Sequence, residues 1–209
     1  MNYTDNYEAY RLSDPVRISN RLGIPFDLAD RQFHFSFLGH SYTADHPDLR
    51  IRCTDGRDPF SLDTSGTFRD LLLRFLLQAT VFPANGQFRS VPELPGGEAF
   101  AAQFDETCVH LLAYRYGRVL QAFEAIMEDL DGLRVYGADI AYELEFLDGL
   151  FIRFLLNRGT EKQDPSAEIL FSSNFPAAFS AGACIDIIRI CLDAFDAADP
   201  LYAAANPYR

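Results

Sequence analysis

The stretch from Asp139 to Phe154 constrains the fold more than any other part of the chain. Ile140, Tyr142, Leu144 and Phe146 alternate with Asp139, Glu143 and Glu145, a period of two that marks a half-buried strand. Leu147-Asp148-Gly149 fits a three-residue loop with glycine in the left-handed conformation, forming a bulge. That register sets Leu144 opposite Ile152, Tyr142 opposite Phe154 and Glu143 opposite Arg153, an expected ion pair. A two-residue Asp148-Gly149 turn would face Leu144 with Arg153 and bury a charge, so the longer loop is preferred.

The remaining elements follow from similar local signals. Asp14 suits an N-cap, Pro15 the first helical position and Gly23 the stop after Leu22. Phe33, Phe35 and Phe37 alternate with Gln32, His34 and Ser36, and a Gly39-His40 turn then leads into Tyr42-Thr43-Ala44. That turn would place Phe37 opposite Tyr42, Ser36 opposite Thr43 and His34 opposite Asp45. A third strand is expected around Leu49 to Cys53. Thr67-x-x-Asp70 reads as a capping box ahead of Leu71 to Leu77, a segment apolar on almost every side and therefore central. Phe100, Phe104, Cys108, Leu111 and Leu112 form a helical stripe that resumes at Val119, Phe123, Ile126 and Leu130. One long helix or two are expected there, with Gly117 as the kink. Ser166 to Phe171 reads as a strand, Cys184 to Leu192 as an apolar helix, and Asp199 to Arg209 as a loose tail. Without a βαβ rhythm, the expectation is an α+β fold: an antiparallel sheet built from two hairpins, covered by several α-helices. No internal repeat is evident, and residues 1–209 suit a single globular domain.

Charge narrows the partners. The chain carries 18 Lys plus Arg against 30 Asp plus Glu, a formal net charge of −12. A field of that sign repels phosphate backbones and anionic bilayers, so neither nucleic acid nor membrane is an expected partner. No uncharged run approaches the roughly 20 residues of a membrane span. Met1-Asn2-Tyr3-Thr4-Asp5 has neither the basic start nor the apolar core of a signal peptide, so a cytoplasmic location is expected. Cysteines stand at 53, 108, 184 and 191 with no CxxC pair. On one helix Cys184 and Cys191 are about 10 Å apart along the axis, too far for a disulfide, and read as buried apolar thiols.

The connector Arg89-Ser90-Val91-Pro92-Glu93-Leu94-Pro95-Gly96-Gly97 is the best candidate for a functional surface. Its prolines fix φ and remove donors, and its glycines admit conformations that other residues avoid. Arg89, Ser90, Glu93, Gly96 and Gly97 form the candidate binding set. Two readings of Arg89 and Glu93 stand: contact with a ligand or partner, or hydrogen bonds that hold the connector's own shape. Gly96-Gly97 ahead of a helix offers amides to an anion, yet lacks both the lysine of a phosphate loop and the spacing of a dinucleotide fingerprint. No cofactor is expected. His34, His40 and His46 with Asp45 and Asp48 form the one imidazole–carboxylate cluster. There, His34 and Asp45 are the candidate metal pair, weighed against a solvated sheet face. Ser172 and Ser173 lack a nucleophile elbow.

These features together resemble a prokaryotic family known as domain of unknown function 3786. The resemblance rests on Asp14-Pro15 with Arg21 and Gly23, on Phe37-Leu38-Gly39 with Tyr42, and on the apolar Leu71 to Leu77 block. It continues through Glu93-Leu94-Pro95-Gly96-Gly97 with Phe104 and through Asp139 into the second hairpin. It covers roughly residues 5 to 195. Some relatives look like fusions to iron–sulfur domains of the kind found beside corrinoid proteins, which implies a setting in corrinoid or redox one-carbon metabolism. This chain lacks the cysteine cluster such a domain needs. The expected function is non-catalytic binding of a small molecule or protein partner. The alternative is an enzyme acting on a small metabolite, with Glu93 or Asp45 as general base.

Overall fold

The computed structural model describes residues 3–56 and 58–199, so the expected tail beyond Asp199 lies outside the described residues. Two helices open the fold, α1 (Tyr3–Arg11) and α2 (Pro15–Leu22). The Asp14 carboxylate accepts from the Val16 and Arg17 amides, and Gly23 ends α2 at φ 74°. Strands β1 (Phe26–Asp27), β2 (Gln32–Phe37), β3 (His40–Asp45) and β4 (Ile51–Cys53) form an antiparallel sheet in sequence order. The chain then enters α3 (Gly66–Gln78), which buries Phe68, Leu71, Leu72, Leu73, Phe75 and Leu76. Its cap is the Ser65 hydroxyl, which accepts from the Phe68 amide, two residues before the expected Thr67.

Strand β5 (Phe88–Arg89) leads through the connector, which forms 3-10 turns at Val91–Glu93 and Gly97–Phe100. Then come α4 (Ala101–Phe104), a π-helical turn over Asp105–Val109, α5 (His110–Tyr116) and α6 (Leu120–Asp129). The helical stripe is thus divided rather than continuous. At Gly117 the chain passes so close to Pro165 that a Cβ would collide with the proline ring, and the helix ends there. Strands β6 (Leu133–Arg134), β7 (Ile140–Leu147), β8 (Leu150–Asn157) and β9 (Ser166–Ser172) join β5 in a second antiparallel sheet, ordered β5-β9-β8-β7-β6. Helix α7 (Ala183–Ala198) closes the described chain.

The α+β fold with antiparallel sheets and covering helices is as expected, but the two hairpins lie in separate sheets. Aromatic rings join them. Phe37 at the end of β2 meets Phe146 of β7 at 5.5 Å, Phe68 of α3 at 4.8 Å and Tyr42 of β3 at 6.3 Å. All four rings are buried within a core to which both sheets and the helices contribute.

The second hairpin has the expected register, with Leu144 opposite Ile152, Tyr142 opposite Phe154 and Glu143 opposite Arg153. The loop itself is shorter than expected: Leu147 pairs with Leu150, so Asp148-Gly149 is a two-residue turn with Gly149 at φ 72°, and a bulge between Glu145 and Leu147, rather than at the glycine, keeps the expected register beyond it. The first hairpin differs. Its turn is Leu38-Gly39, at φ 45° and 78°, rather than Gly39-His40. Phe37 therefore faces His40, Phe35 faces Tyr42 and His34 faces Thr43. A shift of two preserves which side chains point inward, so the buried face is unaffected. The positive φ of Leu38 is costly for a branched residue, and its side chain is fully buried, which offsets the strain.

Candidate functional site

The connector is held largely by its own bonds. The Glu93 carboxylate accepts from both the Ser90 amide and the Ser90 hydroxyl at 2.7 Å. These bonds hold its pKa below the usual carboxylate value, with a smaller contribution from the charge of Arg89. The Leu94 amide donates to the Val91 carbonyl at 3.0 Å, and the Gly97 amide donates to the Leu94 carbonyl at 2.8 Å. The Gly97 amide is thus committed within the connector and is not offered to an anion. Gly96 sits at φ 73°, where glycine carries no Cβ penalty. Arg89 is exposed, on the residue of β5 that pairs with Phe171.

Beside this connector lies a cleft of about 380 Å³, within the usual range for ligand pockets. Ser90, Val91 and Pro92 form one end. Ala167, Glu168 and Ile169 of β9 form a side, and the segment from Ala101 to Val109 forms the opposite wall through Phe104 and Asp105. Consecutive strand residues point to opposite faces, so a cavity that touches 167, 168 and 169 must lie along the strand's edge. The other edge of these residues is taken by β8, with Ala167 opposite Leu156, Glu168 opposite Leu155 and Ile169 opposite Phe154. The cleft therefore follows the unpaired edge of β9.

That edge is open because β5 is short. Phe88 pairs with Ser172 and Arg89 with Phe171. One more step would bring Ser90 opposite Leu170, but the chain coils into its 3-10 turn at Val91–Glu93, and Pro92 has no amide to give a ladder.

The facing wall owes its shape to the π turn. The His110 amide reaches the Asp105 carbonyl five residues back. Phe104 and Cys108 are buried, and Phe104, Asp105 and Val109 all line the cleft. Single π turns are frequent at functional sites. The cleft combines an apolar floor of Val91, Phe104 and Ile169, all nearly inaccessible, with the exposed carboxylates of Asp105 and Glu168. Among the described residues, none that lines it is basic. His110 Nε2 stands 4.0 Å from Asp105 Oδ2 on the outer surface.

Of the expected binding residues, only Ser90 lines the cleft. Glu93, Gly96 and Gly97 shape the wall behind it. Asp105, Glu168 and the π turn were not singled out by the sequence. Asp105 and Glu168 lie 63 positions apart in chain order, and a π turn leaves no periodic trace.

The histidine cluster is dispersed. His34 is exposed opposite Thr43, so it is not the cross-strand neighbour of Asp45 that the Gly39-His40 turn required. Asp45 takes the guanidinium of Arg52 at 2.6 and 2.9 Å and the Gln32 amide at 3.0 Å. His46 is buried, with Nδ1 3.0 Å from Arg31 Nη2 and Nε2 3.0 Å from the Tyr10 carbonyl. Since arginine only donates, Nδ1 accepts and Nε2 carries the proton. Among the described residues no three His, Cys, Asp or Glu side chains are placed to hold a metal.

Other polar candidates are spoken for. The Ser172 hydroxyl donates to Asn174 Oδ1 at 2.7 Å and accepts from the Phe151 amide. The Asn174 amide in turn donates to the Phe82 and Gly149 carbonyls. Glu143 accepts from Arg153 Nε at 2.9 Å, and that guanidinium lies 3.7 Å over the Phe88 ring. Cys108, Cys184 and Cys191 are fully buried, and burial pushes the Cys184 thiol up to about 12. Inert core thiols are the result.

Fold and site together define a small α+β domain with a shaped cleft on a sheet edge. Residues 14–191 match the family described as Domain of unknown function (DUF3786), and the chain belongs to that family. No curated protein and no solved structure matches the chain. Among the described residues, no helix is long and apolar enough to cross a membrane.

Proposed function

We propose that this domain is a cytoplasmic binding module, without chemistry of its own, whose ligand or partner occupies the cleft between the connector and the edge of β9. The carrying observation is the cleft itself. A self-bonded connector, a π turn and an unpaired strand edge converge on one cavity with an apolar floor and two outward carboxylates. Such a combination of apolar area and a few placed polar groups suits recognition. The setting in corrinoid or redox one-carbon metabolism that the family resemblance implies is where we would look first for the ligand.

The catalytic alternative is weaker at its named residues. Ser90 holds the Glu93 carboxylate below its ordinary pKa, which makes it a poor proton acceptor near neutrality. Asp45 is engaged by Arg52 and Gln32.

Native mass spectrometry of the protein as purified, beside Ala102→Trp, tests the reading. Ala102 is exposed on the cleft wall, so the indole blocks the cavity without entering the core. A bound species present in the parent and missing from the variant supports the proposal. A metabolite turned over by the purified protein, with turnover lost in Glu93→Gln or Arg89→Ala, overturns it.

A further inference from the structure

The edge of β9 narrows the chemistry of the occupant. We infer that the cleft takes an extended peptide segment of a partner protein, which adds beside Ala167 to Leu170 as a strand and places a lysine or arginine between Asp105 and Glu168. This rests on the cleft being the binding site and goes further by naming what fills it.

Three independent features converge on this occupant. The first is backbone chemistry. Beyond the two residues paired with β5, no described strand lies on this side of β9, so its main-chain donors and acceptors there are open to a new strand. The second is shape. An added strand lies about 4.8 Å from β9, in the space that β5 vacates when it coils away at Val91. About three residues of extended chain, some 10 Å long, run past Ala167 to Ile169. The third is charge. Among the described residues the lining holds two carboxylates and no basic residue, and the cross-strand partner of Glu168 is Leu155, which neutralises nothing. Alternate side chains of an added strand would point to the apolar floor and to the acidic rim.

The test uses the intact chain and a library of blocked heptapeptides with a fixed central arginine, randomised elsewhere, read by fluorescence polarisation. Selected peptides should bind, and Ala102→Trp should abolish binding. Asp105→Asn combined with Glu168→Gln should weaken binding by about tenfold or more, as expected for losing a charge-assisted contact. Methylating alternate backbone nitrogens of the selected peptide should also weaken it by about tenfold, because each removes a ladder donor. Hydrogen exchange should slow at the amides of residues 167–170. The methylated peptides leave the protein untouched, so their result does not depend on how any variant folds.

Failure of every library member to bind overturns the inference, as does equal binding of methylated and unmethylated peptides. Equal binding by the Asp105→Asn/Glu168→Gln variant overturns the basic side chain. A co-purifying small molecule that Ala102→Trp expels, with no peptide bound, keeps the cleft as the site and sinks the peptide.

Discussion

The backbone of Gly97 packs directly against the carbonyl of Val91, so that a Cβ on Gly97 would collide with that oxygen. The contact closes the connector on itself and sets the end wall of the cleft. Gly96, one residue earlier, faces open space and needs glycine only for its φ of 73°. Gly96→Ala is therefore expected to cost about 1–2 kcal/mol, the ordinary penalty of a left-handed alanine. Gly97→Ala must displace backbone and is expected to cost more, about 3 kcal/mol. Denaturant unfolding of both variants checks this, and equal losses would contradict the packing argument.

The bonds from Ser90 to Glu93 make the connector acid-sensitive. The folded pKa of Glu93 lies below 4.5, so its contribution is present above that value and is lost as pH falls through the folded pKa. Carbon NMR of the Glu93 carboxyl should give a midpoint below 4.5. Amide exchange at Ser90 should accelerate below that midpoint, and Glu93→Gln should remove the dependence. A midpoint at or above 4.5 would count against the bonds.

Asp148 has the opposite sign. It sits at the tip of the second hairpin, where its Oδ2 accepts from the Ser36 amide of the other sheet at 3.1 Å. Burial, with a smaller contribution from nearby Glu145, raises its pKa from 3.8 to about 6. The folded state thus holds its proton more tightly than the unfolded chain. Stability is full below 3.8 and declines as pH rises through about 6, by roughly 2–3 kcal/mol at 1.4 kcal/mol per unit. Asp148→Asn keeps an acceptor for Ser36 and removes the charge. The variant should melt higher than the parent at pH 7.5 and no higher at pH 3.5. A parent that gains stability from Asp148 between pH 4 and 7 would refute this.

Arg21 caps a helix that is not its own. Its guanidinium donates to the Leu76 and Leu77 carbonyls at the C-terminal end of α3, 2.6 Å in the latter case. Arg21→Ala leaves both carbonyls without their charged donor and should cost about 2 kcal/mol. Arg21→Lys, lacking the planar fork, should recover only part of it. Thermal melts of the pair check the order, and a fully restoring lysine would argue against the forked contact.

The sequence made the register of the second hairpin readable because its period of two is local, but its loop differs: Asp148-Gly149 closes it with the glycine at φ 72°, and a bulge between Glu145 and Leu147 restores the expected pairing. The Asp14 cap and the Gly23 stop were legible for the same reason. The first hairpin slipped by two because its turn uses Leu38 at φ 45°. Local rules disfavour that conformation, and only burial of the leucine against the rest of the protein sustains it. The self-bonded connector was legible as a shaped element, since its prolines and glycines state their constraints directly.

Alone, then, the sequence determined the main helices and the long strands of both hairpins and which of their faces are apolar, though not α1, the short strands β1, β5 and β6, or the turn of the first hairpin. These properties depend on steric and hydrophobic preferences within a few residues. The tertiary structure decided that the hairpins occupy two sheets, that Asp45 meets Arg52 rather than His34, and that Asp105 and Glu168 face one cleft with Ser90. Each of these follows from packing between segments far apart in the chain. In the last case it follows from one strand that stops too soon, which leaves no repeating pattern in the residues themselves.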